Sequence, residues 1–380
     1  MNPKDYEGKV LNIEGVDQEV PMYSEWERKC SCMGCNVSYF PEIKSYFFNQ
    51  WELNCTFPII VIILFLLSFI CGLMSIFEAL KDNKWKLHIL IGFCVSFLFW
   101  AISYFTAMFR SPGYLPFYWA VEKRHEYTYE EQMDGIITRN EQFAFANCNE
   151  RPERGSLSRQ ARRLVLKADH ICTWLSNWIG LKNYRFFFLQ LVWTFAVFVF
   201  WFIIVYFQVN SYLKTKKFTT TTITMMVLIL PDIGFFFFFM KVFINHIRYV
   251  IHNDTTLYEF KRNTMTDDHN YYDVGCCNNI EQTMGPCYCC PLYLFPVPLP
   301  RLTDGFTWKT NRTLPETTTV YPPITPEIVM KAMTKAEYIR KQNLNNLATE
   351  TIESPPPSNP HKKKHKRPKQ SEEEVAQDPQ

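Results

Sequence analysis

The sequence predicts an all-α integral membrane protein with four transmembrane helices and a cytosolic loop between the second and the third. Three observations predict it. The apolar residues of the 380-residue chain, 47% of the total, are gathered into four blocks instead of being spread as in a soluble core. Each block supplies the roughly 20 residues of helix that a bilayer core requires. Lys and Arg, finally, concentrate between the second and third blocks and in the C-terminal tail, which sets the cytosolic side.

Residues 1–56 read as a polar cytosolic segment. Their "CSCMGC" stretch (Cys30, Cys32, Cys35) lacks a fourth ligand at zinc spacing, so ordinary or lipid-modified thiols are the plainer reading. Transmembrane helices 1 and 2 fall within 57–109, in blocks from Phe57 to about Leu80 and from about Leu87 to Phe109. No basic n-region precedes the first block, so it does not read as a cleaved signal. The loop 110–185 carries Arg151, Arg154, Arg159, Arg162, Arg163 and Lys167. Helices 3 and 4 fall within 186–245, from about Phe186 to Val209 and from about Thr221 to Ile244. An even number of spans places both termini on the cytosolic side with that loop. Most of the 13 cysteines then lie where thiols stay reduced.

Within helix 4, "ILPDIG" puts Asp232 near mid-membrane. An intramembrane carboxylate is costly and marks a functional candidate, while the neighbouring Pro231 makes a buried structural role an equal reading. Residues 246–308 form a cytosolic region rich in Asn, Cys and Tyr, and 309–380 an amphipathic helix (Thr325 to about Leu347, with Thr325 as cap) followed by a disordered tail.

Several motifs then stand in a fixed order. "DHIC" (Asp169 to Cys172) precedes "GLKNYRFF"; "SPG" (Ser111 to Gly113) follows helix 2; "RPER" (Arg151 to Arg154) lies in the loop; "TTLYE" (Thr255 to Glu259) and "NYYDVGCCNNIEQTMG" (Asn270 to Gly285) follow helix 4. Together they resemble the DHHC protein S-acyltransferases over about Arg110 to Trp308. SPG stands where the family has Asp-Pro-Gly, and TTLYE where it has Thr-Thr-x-Glu, with one residue too many. Thr173 replaces the family's Pro, whereas Trp174 and Asn183 match.

Where the family binds two zinc ions, this chain has Ala144, Asn147, Leu157, Ser158, Ala161, Leu164, Ile171 and Trp178. The resemblance thus implies a metal-free DHHC-type loop, with no zinc bound. The metal-holding positions are lost together, while Asp169, His170 and Cys172 remain. A structural zinc is worth about 10–16 kcal/mol in finger peptides, and burying four large apolar replacements returns about 1.5–3 kcal/mol each. Pinning the loop at both ends by membrane helices lowers the entropy that folding must overcome.

The replacements also fall at alternating spacings of four and three (Leu157, Ala161, Leu164, Ala168, Ile171, Leu175, Trp178), with Ser156 as a cap, the pattern of an amphipathic helix. Such a helix opposes catalysis, because side chains two apart diverge by about 200° and His170 then faces away from Cys172. The chain must break near Asp169 for the site to work.

A Cys nucleophile needs a base within hydrogen-bond reach and a carboxylate to orient that base. By resemblance, Cys172 is the nucleophile, His170 the base and Asp169 its partner. Palmitoyl-CoA is the acyl donor, held by its phosphates at Arg159, Arg162, Arg163 and Lys167, and the Thr-Thr motif and Asn270 brace Asp169. The partners implied are membrane-associated proteins with cytosolic cysteines and the lipid bilayer, not nucleic acid. The setting implied is a multi-pass protein of the endomembranes (Golgi, ER or vesicle). A catalytically inactive membrane scaffold or adaptor of the same fold is the alternative.

Overall fold

The computed structural model describes residues 26–32, 34–41, 44–115, 133, 152–157, 163–263 and 269–311. Arg159, Arg162, Ala144, Asn147, Ser158, Ala161 and the Thr325 to Leu347 helix therefore lie outside the described residues.

Four long helices carry the fold: α1 (Thr56–Ala79), α2 (Lys86–Phe109), α3 (Tyr184–Thr215) and α4 (Thr220–His252). All four are long and apolar enough to cross a membrane. Their outward faces are apolar, with Ile63, Leu67 and Ile70 of α1 and Leu230 and Phe237 of α4 exposed, as lipid-facing helices require. The last two exceed the predicted spans. At 33 residues α4 is about 50 Å long, so the predicted boundary at 246 falls inside a continuous helix.

The expectation of an all-α chain holds for the membrane part and is corrected outside it. An antiparallel meander precedes α1: β1 (Glu27–Cys32), β2 (Cys35–Phe40), β3 (Ser45–Phe48) and β4 (Trp51–Glu52). Aromatic and β-branched residues in "CNVSYF" and "SYFF" suit a pleated, half-buried surface. Cys32 and Cys35 face each other across the first hairpin, and all three cysteines of that stretch are exposed. In the loop between α2 and α3, β5 (Ser156–Leu157) pairs with β6 (Leu164–Val165), and β7 (His170–Cys172) with β8 (Asn177–Ile179). The amphipathic-helix reading of that loop is thereby corrected. Beyond α4 come α5 (Thr256–Asn263), α6 (Cys276–Met284) and a 3₁₀ turn (Cys287–Leu292).

The loop is fastened to the ends of α2 and α3. Ser111 Oγ accepts from the amides of Gly113 (3.2 Å) and Tyr114 (3.3 Å), doing with a hydroxyl what an Asp does in such turns. Gly113 has φ of +108°, open to glycine and strained for other residues. Leu166 N then donates to Gly113 O, and Lys182 N to Pro112 O. Asn183, fully buried, donates to Ala107 O (3.1 Å) and Trp178 O (2.8 Å) and accepts from Gly180 N (2.9 Å).

Candidate functional site

The β7–β8 hairpin decides how the DHIC residues point. Alternation along β7 sends His170 and Cys172 to one face and Ile171 to the other. Ile171 lies directly opposite Trp178 on β8, and both join Tyr114, Val165 and Ala168 in an apolar cluster. By the resemblance, both occupy positions expected to hold zinc ligands. Leu164, at a third, is buried at 1% exposure. Hydrocarbon and indole side chains offer no lone pair to zinc, so these positions do not fit the metal.

On the other face His170 Nδ1 lies 2.5 Å from Asp169 Oδ2, and the ring and Cys172 line the same cavity. Asp169 is 1% exposed and sits at the N-terminus of α5. Its Oδ1 accepts from Thr256 N (2.9 Å), its Oδ2 from Thr256 Oγ1 (3.2 Å), and its carbonyl from Leu257 N (3.2 Å). A carboxylate there satisfies free helix amides and meets the positive end of the helix dipole. Thr255 Oγ1 caps the same helix by accepting from Tyr258 N. The extra residue of TTLYE moves Glu259 along the helix, where it accepts from Tyr249 Oη (2.6 Å) and pairs with Arg248 (2.7 Å).

Burial alone raises a carboxyl, but the hydrogen bond and charge of His170 and the Thr256 amide outweigh it and hold Asp169 below its ordinary value. For His170, burial opposes the charged ring, while the hydrogen bond with Asp169 and the nearby Cys172 sulfur win and hold it above its ordinary value. Asp169 is thus kept as a carboxylate that stabilises the ring when it takes up a proton.

Asn270 is not at Asp169. It donates to His252 O (2.7 Å), while Asn279 donates to Ile251 O (2.8 Å), so the C-terminal motif closes the end of α4. Arg154 of RPER serves the same end, donating to Asn253 Oδ1 (3.0 Å) and O (2.8 Å) among the rings of Tyr272 and Trp308.

Two of the four cations expected at the CoA phosphates turn inward. Arg163 is 2% exposed, stacked 3.7 Å from the Tyr114 ring centroid and facing Gln50 O. Lys167, also 2% exposed, donates to Thr283 Oγ1 (3.3 Å); burial and the nearby charge of Arg154 push its pKa well down. The expectation is corrected for both, because Gln50 and Tyr114 cover the charged end of Arg163, and Tyr184, Thr283 and Trp308 that of Lys167. Arg159 and Arg162 lie outside the described residues.

Cys172 opens into a cavity of about 300 Å³ whose walls include His170, Trp174, Phe187, Phe239 and His246. The hairpin turn is held over it by Tyr104 Oη, which donates to Trp174 O (2.7 Å), and by Trp51 Nε1, which donates to Leu175 O (3.1 Å). Sequence reasoning missed His246. It is 4% exposed, shares a 3.0 Å hydrogen bond with Tyr184 Oη, and its ring centroid lies 5.7 Å from that of His170. Its signal was a lone histidine near the end of an apolar span. Asp169, His170 and His246 bring an oxygen and two nitrogens within 4.8 Å of one another, a donor set that could also hold a metal.

A family model described as DHHC palmitoyltransferase matches residues 137–263. The chain is 30% identical over 214 residues to Probable protein S-acyltransferase 14 of Arabidopsis thaliana, covering 52% of this chain and 67% of that protein. It is 27% identical over 230 residues to Palmitoyltransferase ZDHHC20 of Homo sapiens (54% and 62%), and 33% over 152 residues to Palmitoyltransferase ZDHHC15 of Xenopus laevis (38% and 43%). Four membrane-crossing helices, a DHIC hairpin joined to the helix ends and these likenesses lead to one conclusion: the chain belongs to the DHHC palmitoyltransferase family.

Proposed function

We propose that this chain is an active protein S-acyltransferase that moves palmitate from palmitoyl-CoA to cysteines of membrane-associated proteins through a thioester on Cys172. The observation that carries the reading is the placement of His170, bonded to a buried carboxylate anchored on α5 and set on the same strand face as a cysteine that opens into the same cavity.

His170 takes the Cys172 proton as the sulfur attacks the thioester carbonyl, and returns a proton to the departing CoA thiolate. In the second half His170 accepts the proton of a substrate cysteine, whose sulfur takes the acyl group, and Cys172 leaves. Asp169 fixes the imidazole and stabilises its charged form. Zinc takes part in neither half. The loop is proposed to hold its shape through the Ile171–Trp178 cluster, Asn183 and the α5 anchor instead of metal. Arg159 and Arg162 keep the proposed role at the CoA phosphates, and Arg163 and Lys167 do not. Both termini and the loop are proposed to face the cytosol, in an endomembrane.

Purified protein incubated with a clickable palmitoyl-CoA analogue should acquire a hydroxylamine-sensitive label that Cys172→Ala removes. Equal label on wild type and variant, or none on either, leaves the scaffold as the reading.

A further inference from the structure

The Asp232 carboxylate plays no part in the chemistry at Cys172, yet it lines a cavity that shares Val61 and Phe239 with the one at Cys172. Met225, Asp232, Phe239 and His246 recur every seven residues on α4, and all are buried. On α1 the facing positions are Val61, Ser68 and Ser75, also seven apart. The two faces meet in an antiparallel register. Ser75 Oγ lies 3.3 Å from Met225 Sδ, Ser68 Oγ donates to both Asp232 oxygens (3.3 and 3.4 Å), and Val61 and Phe239 line both the Cys172 cavity and a second cavity beyond it.

That second cavity is apolar except for Ser68 and Asp232; its walls include Phe65, Phe93, Val197 and Trp201. Its far side closes where Phe93 packs against Gly72, so tightly that a Cβ on Gly72 would lie 2.7 Å from the Phe93 ring. Fourteen residues of α4 separate the His246 layer from the Asp232 layer, about 21 Å along the helix axis. An extended 16-carbon chain, at roughly 1.3 Å per carbon for C–C bonds of about 1.5 Å, is about 20 Å long. The run from the His246 wall of the Cys172 cavity to Asp232 thus matches the length of such a chain, and Val61 and Phe239, shared by both cavities, lie along it. Asp232 has four lone-pair positions, and the partner it finds among the described residues is the single hydroxyl of Ser68, at long distance. A terminal methyl leaves that capacity unused, whereas a terminal hydroxyl fills it.

We propose that Ser68 and Asp232 form a polar end wall of the acyl chamber, and that the site takes a fatty acyl-CoA whose chain ends in a hydroxyl in preference to a plain chain of the same length. The inference rests on the acyltransferase reading and names the donor class for it.

The test compares the initial rate of Cys172 thioester formation, by intact mass, for palmitoyl-CoA and 16-hydroxypalmitoyl-CoA on the full-length detergent-solubilised chain. Wild type should favour the hydroxylated donor about fivefold to tenfold, the net effect of one buried hydrogen bond. Asp232→Leu should reverse the preference, and Ser68→Ala should reduce it. The ratio is taken within each variant, so a loss of folded protein cancels; Asp232→Asn, which still hydrogen-bonds, should keep a preference. Equal rates in wild type, or a preference that survives Asp232→Leu, overturn the end wall. No thioester from either donor overturns the acyltransferase reading instead.

Discussion

Asp169→Asn replaces one carboxylate oxygen with an NH₂ group in a side chain that is 1% exposed. The carboxylate accepts from His170 Nδ1, Thr256 N and Thr256 Oγ1. The amide has one acceptor oxygen. If that oxygen keeps Thr256 N, the new NH₂ faces His170 Nδ1, and the imidazole must place its own proton on Nε2. The nitrogen turned to Cys172 then carries a hydrogen and accepts none. The same loss of tautomer in a Ser-His-Asp triad costs about 10⁴ in kcat, so a fall of about 10³- to 10⁴-fold is expected, about 4–5.5 kcal/mol in the barrier. Single-turnover formation of the Cys172 thioester, followed by intact mass, measures it. A variant within tenfold of wild type at neutral pH refutes the role of Asp169. The same change has a pH signature in stability. His170 is held above its unfolded value of about 6.5, so its contribution is full below that pH and is lost as pH rises through the folded value. Asp169 is held below its unfolded value of about 3.9, so its contribution is present above that pH and is lost as pH falls through the folded value. The Tm gap between wild type and Asp169→Asn should therefore be widest between those limits and close at both ends.

Three further outcomes are expected. Thr256→Ala removes a charge-assisted hydrogen bond worth about 1.5–3 kcal/mol and should slow thioester formation about 10- to 100-fold; Thr256→Ser should restore it, and a serine that fails to do so rules out the bracing role. Gly180→Ala puts a Cβ 2.6 Å from Pro112 O and 2.8 Å from Leu166 O, so the hairpin must shift at a cost of about 1–3 kcal/mol, seen as a lower Tm and faster proteolysis of the loop with helix content unchanged. Elemental analysis of the purified protein should find well under one zinc per chain, since Leu164, Ile171 and Trp178 cannot ligate it; two zinc ions would place the ligands elsewhere.

The membrane helices were legible because their signal is local. An uninterrupted apolar run of the right length satisfies its own backbone as a helix and has few other ways to cross a bilayer. The loop was not legible to the same degree. Leu157, Leu164, Ile171 and Trp178 fit a helical stripe as well as they fit what is observed, because positions seven apart share a helix face whatever holds them in place. The hairpin wins through partners distant in sequence: Met108 O and Arg110 O for Asn177, Ala107 O for Asn183, and the α5 amides for Asp169. Lys167 and Arg163 misled for a related reason. A basic residue in a loop is expected to reach solvent, yet the Tyr114, Tyr184 and Trp308 rings cover both.

The sequence by itself determined the four spans, the family and the presence of Asp, His and Cys within four residues, since apolar length and motif order are carried by the chain alone. Only the tertiary structure decided that His170 bonds Asp169 and shares a strand face with Cys172. Side chains two apart share a face in a strand and diverge in a helix, and which of the two forms here is set by α2, α3 and α5. The extra residue in TTLYE is resolved likewise: once α5 starts at Thr256, the amide and hydroxyl of that residue reach Asp169. The pairing of Ser68 with Asp232 belongs to the same class, because 164 residues separate them and the α1–α4 register brings them together.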